Sequence, residues 1–213
     1  MKLHSFFRSS AAYRVRIGLN LKGLNYDYVA CHLRKGEQRG DQFVALNAHA
    51  LVPALELNDG TVLAQSLAIL EYLDEIHPEP ALLPKDALAR ARVRSLALAI
   101  ACEIHPLNNL RVLQYLENDL GLDADQRKTW YCHWIHTEFA AVEKRLANEP
   151  ETGRFCHGAD PTLADVCLVP QVANAGRFGC DLSAFPEIER INAECLLLEA
   201  FANAAPDNQP DAE

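Results

Sequence analysis

Two serines behind an arginine hold the first chemistry in this chain. The stretch Arg8-Ser9-Ser10-Ala11-Ala12-Tyr13-Arg14-Val15-Arg16 follows a short apolar run, Leu3 to Phe7. It opens a pattern in which Ala12, Val15 and Leu19 share one helical face, with Tyr13, Ile17 and Leu21 beside it. The spacing predicts strand, polar turn and helix, ending at Gly23. Ser9 and Ser10 fall where N-caps fall, so their hydroxyls stand at the positive end of a helix. That place suits an anion, a thiolate included. Plain capping serves as well to explain both residues.

A second spacing, Cys132-His133-x-x-His136, sets a cysteine and a histidine four apart on a helix, as metal ligands can be. The sequence places no third ligand near them, and Trp130 and Trp134 point to packing, so no metal is expected. The seven cysteines are scattered, odd in number and without a Cys-x-x-Cys pair. Reduced thiols in a cytoplasmic protein are the economical expectation. The net charge of -9 argues against a general nucleic-acid or anionic-membrane binder, since both need a basic surface. No leader is expected at the N-terminus, where Arg8, Ser9 and Ser10 interrupt the apolar run. No stretch approaches the ~20 apolar residues of a membrane span.

These residues need elements to hold them. Tyr26 to Cys31 reads as a second strand, Arg34 to Asp41 as a two-signed loop, and Gln42 to Leu46 as a short helix. Leu51 to Leu57 reads as an extended segment turning at Asn58-Asp59-Gly60 into Thr61-Val62-Leu63, a hairpin. Pro53 inside that pattern places the strand at an edge or a bulge, or marks a cis bond. Ser66 is expected to cap a helix burying Ile69, Tyr72, Leu73 and Ile76. Three prolines between His77 and Pro84 stop that helix and set a domain boundary. Beyond it the pattern is helical: Ala87 to Ile104, Leu110 to about Gly121, and Trp130 to Leu146. A further helix runs from a Thr162-Leu163-Ala164-Asp165 capping box through Val172, and a last one from Pro186 to about Ala202. The polar tail from Pro206 is expected to fray.

An α/β part of residues 1–80 followed by an all-helical part of residues 86–213 resembles a glutathione transferase. The resemblance is carried by Ser9-Ser10 before Tyr13 to Ile17, by Val52-Pro53 and by Gln65-Ser66. It narrows to the zeta class, the maleylacetoacetate isomerases, through Arg8 to Ile17, Leu46-Asn47 with Leu51 to Leu55, Ile104 to Leu113, and Thr162 to Asp165 with Val169-Pro170-Gln171. Bacterial maleylpyruvate isomerases look nearly the same. Family members often have Ser-Ser-Cys where this chain has Ser9-Ser10-Ala11, and proline where it has Ala48. Because glutathione brings its own sulfur, the missing cysteine is expected to alter rate or side activity, not to abolish isomerisation.

The resemblance implies a thioredoxin-like first domain with a mixed four-stranded sheet that binds glutathione, an all-helical substrate domain, and a homodimer. It implies cis–trans isomerisation of a maleyl keto acid by thiolate addition, bond rotation and elimination, in aromatic catabolism. Ser9 is the first choice to stabilise the thiolate, Ser10 the second. Val52 before Pro53 is expected to pair with the cysteinyl backbone, Gln65 and Ser66 to take the γ-glutamyl carboxylate, and Gln38 and His49 the glycyl end. His105 and Asn109, four apart, are expected on one helical face toward glutathione. The substrate is acidic, and Arg8, Arg111 and Arg177 are the candidates to grip it, arginine being suited to bidentate carboxylate binding. Arg14 and Arg16 are left as structural. A general transferase and a non-catalytic glutathione-binding protein are the rival readings.

Overall fold

The computed structural model describes residues 1–213. Four strands, β1 (Lys2–Ser5), β2 (Asp27–Ala30), β3 (Ala54–Glu56) and β4 (Val62–Ala64), form one mixed sheet in the order β2-β1-β3-β4. β1 runs parallel to β2, which a strand can do only through a crossover, here helix α1 (Ser10–Leu21). β1 and β4 each pair antiparallel with β3, through Leu3 opposite Leu55 and Leu63 opposite Leu55. The turn between β3 and β4 closes on Gly60 at φ 86°, with the Thr61 N–H donating to Asp59 Oδ1 at 2.9 Å. The mixed α/β sheet followed by helices is thus as the sequence predicts.

The sheet decides among the alternatives left open for Pro53. β3 is internal, not an edge, and is shorter than Leu51 to Leu57. Val52 and Pro53 lie before its first paired residue, so the missing N–H of Pro53 removes no ladder bond. The Val52–Pro53 peptide is cis.

The chain divides into two compact units, residues 1–82 with 196–213, and residues 83–195. In the first unit, α1 is buried along Ser10 to Leu19. Helix α2 (Asp41–Leu46) follows two short 3-10 turns, and α3 (Ser66–Ile76) packs on α1. α3 buries Ile69, Leu70 and Leu73, whereas Ile76 is exposed and Tyr72 only half-buried, so Leu70 takes the place expected for Ile76. Gly18 lets the two helices approach: a Cβ there would run into Leu70 Cδ2, itself fully buried. Gly18→Ala is therefore expected to destabilise the protein by about 1–3 kcal/mol, the cost of overpacking a core, with the fold retained. An unchanged thermal midpoint would show that Leu70 moves aside freely.

The tail is not frayed. Helix α9 (Glu199–Ala202) packs on α1, and Asp211 accepts hydrogen bonds from the Phe7 N–H at 3.2 Å and the Tyr28 hydroxyl at 2.6 Å. Polarity suggests a loose end, but polar side chains also anchor a segment when the folded chain offers partners.

The second unit is helical. α4 (Ala87–Leu98) widens into a π-helical stretch at Ala99–Ile104, and the helix stops before Pro106, which cannot continue it. α5 (Leu110–Asn118), α6 (Ala124–Asn148), α7 (Leu163–Phe178) and α8 (Pro186–Leu196) follow. α6 begins earlier than Trp130 because Asp123 and Gln126 form a capping box. The expected box at the start of α7 is present: Thr162 N–H and Oγ1 donate to Asp165 Oδ2 at 2.7 and 2.9 Å, and the Cys156 N–H donates to Oδ1 at 2.8 Å.

The cysteines depart from expectation. Cys132 on α6 and Cys180 after α7 form a disulfide with Cα atoms 5.4 Å apart, within the bridging range, across 48 residues of sequence. Spacing carries no trace of this pairing. It also ties up the sulfur of the Cys132–His136 spacing, and no cluster of three or more possible metal ligands is present. The other five cysteines form no disulfide. No helix is long and apolar enough to cross a membrane.

Candidate functional site

The serine turn of the first unit is built as a cap. Ser9 holds the N-cap position of α1 at φ -73° and ψ 111°, and its Oγ accepts from the Ala12 N–H at 3.2 Å. That contact uses a lone pair and leaves the hydroxyl proton to be donated outward. Ser10 is the first helical residue and is buried, whereas Ser9 is half-buried, which favours Ser9 as the donor. The first turn of α1 holds no acidic residue. Arg8 adjoins it, half-buried, with its guanidinium 4.8 Å from the Phe7 ring centroid, and Arg14 and Arg16 are buried within α1. The positive end of α1 favours a negative charge at Ser9.

Arg14 links this turn to a second helix start, its Nη1 donating to Ser66 Oγ at 3.4 Å. The cap of α3 is Gln65, not Ser66 as expected; Ser66 is the first helical residue and is buried. Gln65 lies at φ 70° and ψ 116°, a strained conformation for a non-glycine residue and one found most often where function requires it. Its side chain makes no capping bond and is exposed, so the first N–H groups of α3 lie beside an uncommitted amide.

Val52 is buried in one apolar cluster with Phe6, Phe7 and Ala54, which brings the residues before Pro53 against the run leading to Arg8 and Ser9. Asn47 closes the preceding loop, its Nδ2 donating to the Leu51 carbonyl at 2.8 Å and its Oδ1 accepting from the His49 N–H at 3.2 Å. The His49 residue is exposed. Gln38 is buried in the turn Glu37–Arg39, and its Oε1 has no hydrogen-bond partner within the chain. The fold thus joins Arg8, Ser9, Val52 and Ser66 through shared neighbours; Asn47 ties His49 to the chain before Val52, and the turn carrying Gln38 packs on α2, whose Phe43 shares the Val52 cluster. A buried acceptor without a partner, an idle amide at one helix start and a free hydroxyl proton at another suit a peptide-like ligand bearing a thiol and a carboxylate.

In the second unit the expected helical pair is not a pair. His105 closes the π-helical stretch, whereas Asn109 caps α5, its Oδ1 accepting from the Arg111 N–H at 3.2 Å. Pro106 separates them, so they share no helical face. Arg111 is exposed in the first turn of α5. Arg177 lies in the last turn of α7, where the helix dipole favours a cation. Its Nη2 donates to Asn174 Oδ1 at 3.0 Å and its guanidinium lies 5.1 Å from the Phe178 ring centroid. Phe178 stacks on Tyr131 at 3.6 Å, and burial pushes the Tyr131 hydroxyl up to about 12, against the pull of Arg177. Together with Cys132–Cys180, these contacts fasten the end of α7 that carries Arg177 to α6.

Residues 8–76 match the model of the glutathione S-transferase N-terminal domain. The chain is 50% identical to a maleylpyruvate isomerase of Ralstonia sp. over the whole of both chains. The holo structure of a bacterial maleylpyruvate isomerase described as a zeta-class glutathione transferase, also 50% identical, superposes with a TM-score of 0.98 and full coverage of both chains. This chain belongs to the zeta-class glutathione transferases. Another relative of known structure, the maleylacetoacetate isomerase of Anaeromyxobacter dehalogenans, is 45% identical. It superposes with a TM-score of 0.88 over 100% of this chain and 97% of its own. It was crystallised with dicarboxyethyl glutathione and citrate in its active site.

Proposed function

We propose that this zeta-class transferase is a glutathione-dependent cis–trans isomerase of a maleyl keto acid, with maleylacetoacetate the first choice of substrate and maleylpyruvate the second. The observation that carries this is the Ser9 cap, a hydroxyl with its proton free at a helix start flanked by arginines, in a chain half identical to an isomerase. Bound glutathione supplies the thiol that adds to the maleyl double bond and leaves after rotation about the resulting single bond.

The rest of the chemistry falls to the chain. The Ser9 hydroxyl donates a hydrogen bond to the sulfur and favours the thiolate, with the α1 dipole in support. Ser10 is the alternative donor. Val52 and Pro53 hold the cysteinyl backbone, Gln65 and Ser66 the γ-glutamyl carboxylate at the start of α3, and Gln38 and His49 the glycyl end. His105 and Asn109 contribute from the second unit. Arg8, Arg111 and Arg177 take substrate carboxylates and stabilise the enolate charge that thiol addition creates. The dicarboxyethyl glutathione bound by the Anaeromyxobacter relative supports this, since addition of a thiol to a maleyl double bond gives a product of that kind. A homodimer in the cytoplasm, without membrane or nucleic-acid partners, completes the proposal.

The deciding experiment compares maleylacetoacetate and maleylpyruvate turnover with and without glutathione, beside chlorodinitrobenzene conjugation. Strictly glutathione-dependent isomerisation, faster than conjugation, is expected. Conjugation alone would make the protein a general transferase, and glutathione binding without turnover a binding protein. Arg8→Ala and Arg177→Ala are expected to raise the KM for the maleyl substrate about tenfold, the scale of one charge-assisted hydrogen bond, while moving the KM for glutathione far less. Equal rises in both constants would remove these arginines from carboxylate binding.

A further inference from the structure

The turn that presents Ser9 is held from behind by a segment some 200 residues away in sequence. Residues 6–9 form a tight turn, the Ser9 N–H donating to the Phe6 carbonyl at 2.9 Å. The Arg16 guanidinium, fully buried, donates through Nη1 to the Phe6 carbonyl at 3.5 Å and to Ser5 Oγ at 3.1 Å. Its Nη2 donates to the Phe7 carbonyl at 3.1 Å, and its Nε to the Ala204 carbonyl at 2.9 Å. The Phe7 N–H donates to Asp211 Oδ2 at 3.2 Å, and the other carboxylate oxygen accepts from the Tyr28 hydroxyl at 2.6 Å. Farther along, His32 Nε2 and Glu213 Oε1 lie 2.7 Å apart. Phe6 and Phe7 therefore have main-chain groups committed to Arg16, Asp211 and Ser9. None of these bonds is local except the turn itself.

We propose that Asp211, working with Arg16 and Tyr28, is a positioning residue: it braces the Phe6–Ser9 turn and so sets where the Ser9 hydroxyl points. The proposal rests on the reading of Ser9 as the thiol's hydrogen-bond donor. Main-chain hydrogen bonds to a charged acceptor are short-range and directional, and they act on the residues immediately before the cap. A cap displaced by a fraction of an ångström still closes the helix, because the Ala12 N–H is adjacent. It no longer meets a sulfur held by other residues. Positioning errors of this size are where catalysis loses rate without loss of fold.

The test uses the full chain in three variants. Asp211→Ala removes both acceptors. Asp211→Asn keeps an acceptor for the Phe7 N–H. Gln209→Ala loosens the same segment without touching the turn, since Gln209 Nε2 donates only to the Asn203 and Ala205 carbonyls, at 2.9 and 2.8 Å. Amide hydrogen exchange over residues 6–9 reads the brace, and ultraviolet thiolate absorbance of bound glutathione against pH reads the cap. In Asp211→Ala, at a temperature where the protein is folded, faster exchange at 6–9 is expected. A raised pKa of the bound thiol and a fall in turnover of about tenfold should accompany it. Asp211→Asn should lie between wild type and alanine, and Gln209→Ala should leave the thiol pKa at its wild-type value. Unchanged exchange at 6–9 in Asp211→Ala would overturn the proposal, as would equal effects of Asp211→Ala and Gln209→Ala on the thiol pKa. Ser9→Ala in the same assays separates the two ideas. If it leaves the thiol pKa and turnover alone, the role of Ser9 fails, while the exchange data still decide whether Asp211 braces the turn.

Discussion

Ser9→Ala lowers isomerase turnover at least about tenfold at neutral pH, a floor set below the roughly hundredfold that loss of a single preorganised donor costs at a fully formed oxyanion site. A free thiol has a pKa of about 8.5, so little of it is ionised near pH 7. Each unit by which the site lowers that pKa corresponds to about 1.4 kcal/mol of preferential binding of the thiolate. In the structure Ser9 Oγ accepts from the Ala12 N–H, which fixes the oxygen and orients its proton away from the helix. Alanine removes the proton and the cap together, and the cap alone accounts for about 1 kcal/mol of stability. Ser9→Thr retains both and is expected to keep most of the activity. The pair separates chemistry from stability: the bound-thiol pKa should rise in the alanine variant and stay near wild type in the threonine variant. Wild-type turnover in Ser9→Ala would remove Ser9 from the mechanism.

The largest effect on stability is expected at Asp165. Its carboxylate is fully buried and accepts from the Cys156 N–H, the Thr162 N–H and the Thr162 hydroxyl. Asp165→Ala leaves three buried donors without acceptors, each costing about 1–3 kcal/mol. Relief from holding a buried carboxylate offsets part of this, so a net loss of about 3 kcal/mol is expected. For a chain of this length that lowers the thermal midpoint by roughly 10 °C. Burial raises the Asp165 pKa above the ordinary 3.8, although its hydrogen bonds oppose the rise. A raised folded-state pKa gives stability that is complete below the unfolded value and lost as pH rises through the folded value. The alanine penalty should therefore be larger near pH 4 than at pH 7. A flat or opposite trend would show that the three donors outweigh desolvation.

Much of the site was legible locally. Ser9 at a cap, the Thr162–Asp165 box, the Asn58-Asp59-Gly60 turn and the proline-rich stop after α3 all depend on residues within a few positions of one another. Their physics is that of single helix ends and tight turns, which a short stretch of chain determines almost alone. Local pattern misjudged Gln65 and Ser66 by one position, since a cap in the left-handed region has no compositional signal when the residue is not glycine. It also put His105 and Asn109 on one helix, although Pro106 between them had already broken it.

Tertiary structure decided the rest. Whether β3 lies at an edge or inside the sheet depends on which strands find it, and Val52 alone does not record that. The Cys132–Cys180 bond joins residues 48 apart, and Asp211 reaches Phe7 across 204. Arg14 and Arg16 read as structural and are buried, but the Arg14 contact with Ser66 and the grip of Arg16 on the Phe6 and Phe7 carbonyls exist only once helix, sheet and C-terminal segment are assembled. The amino-acid order by itself determined where α1 and α7 begin, where the chain turns after β3 and which hydroxyl heads α1. Contacts between distant segments, whose loop-closure cost and geometry no local pattern encodes, determined what holds that hydroxyl in place.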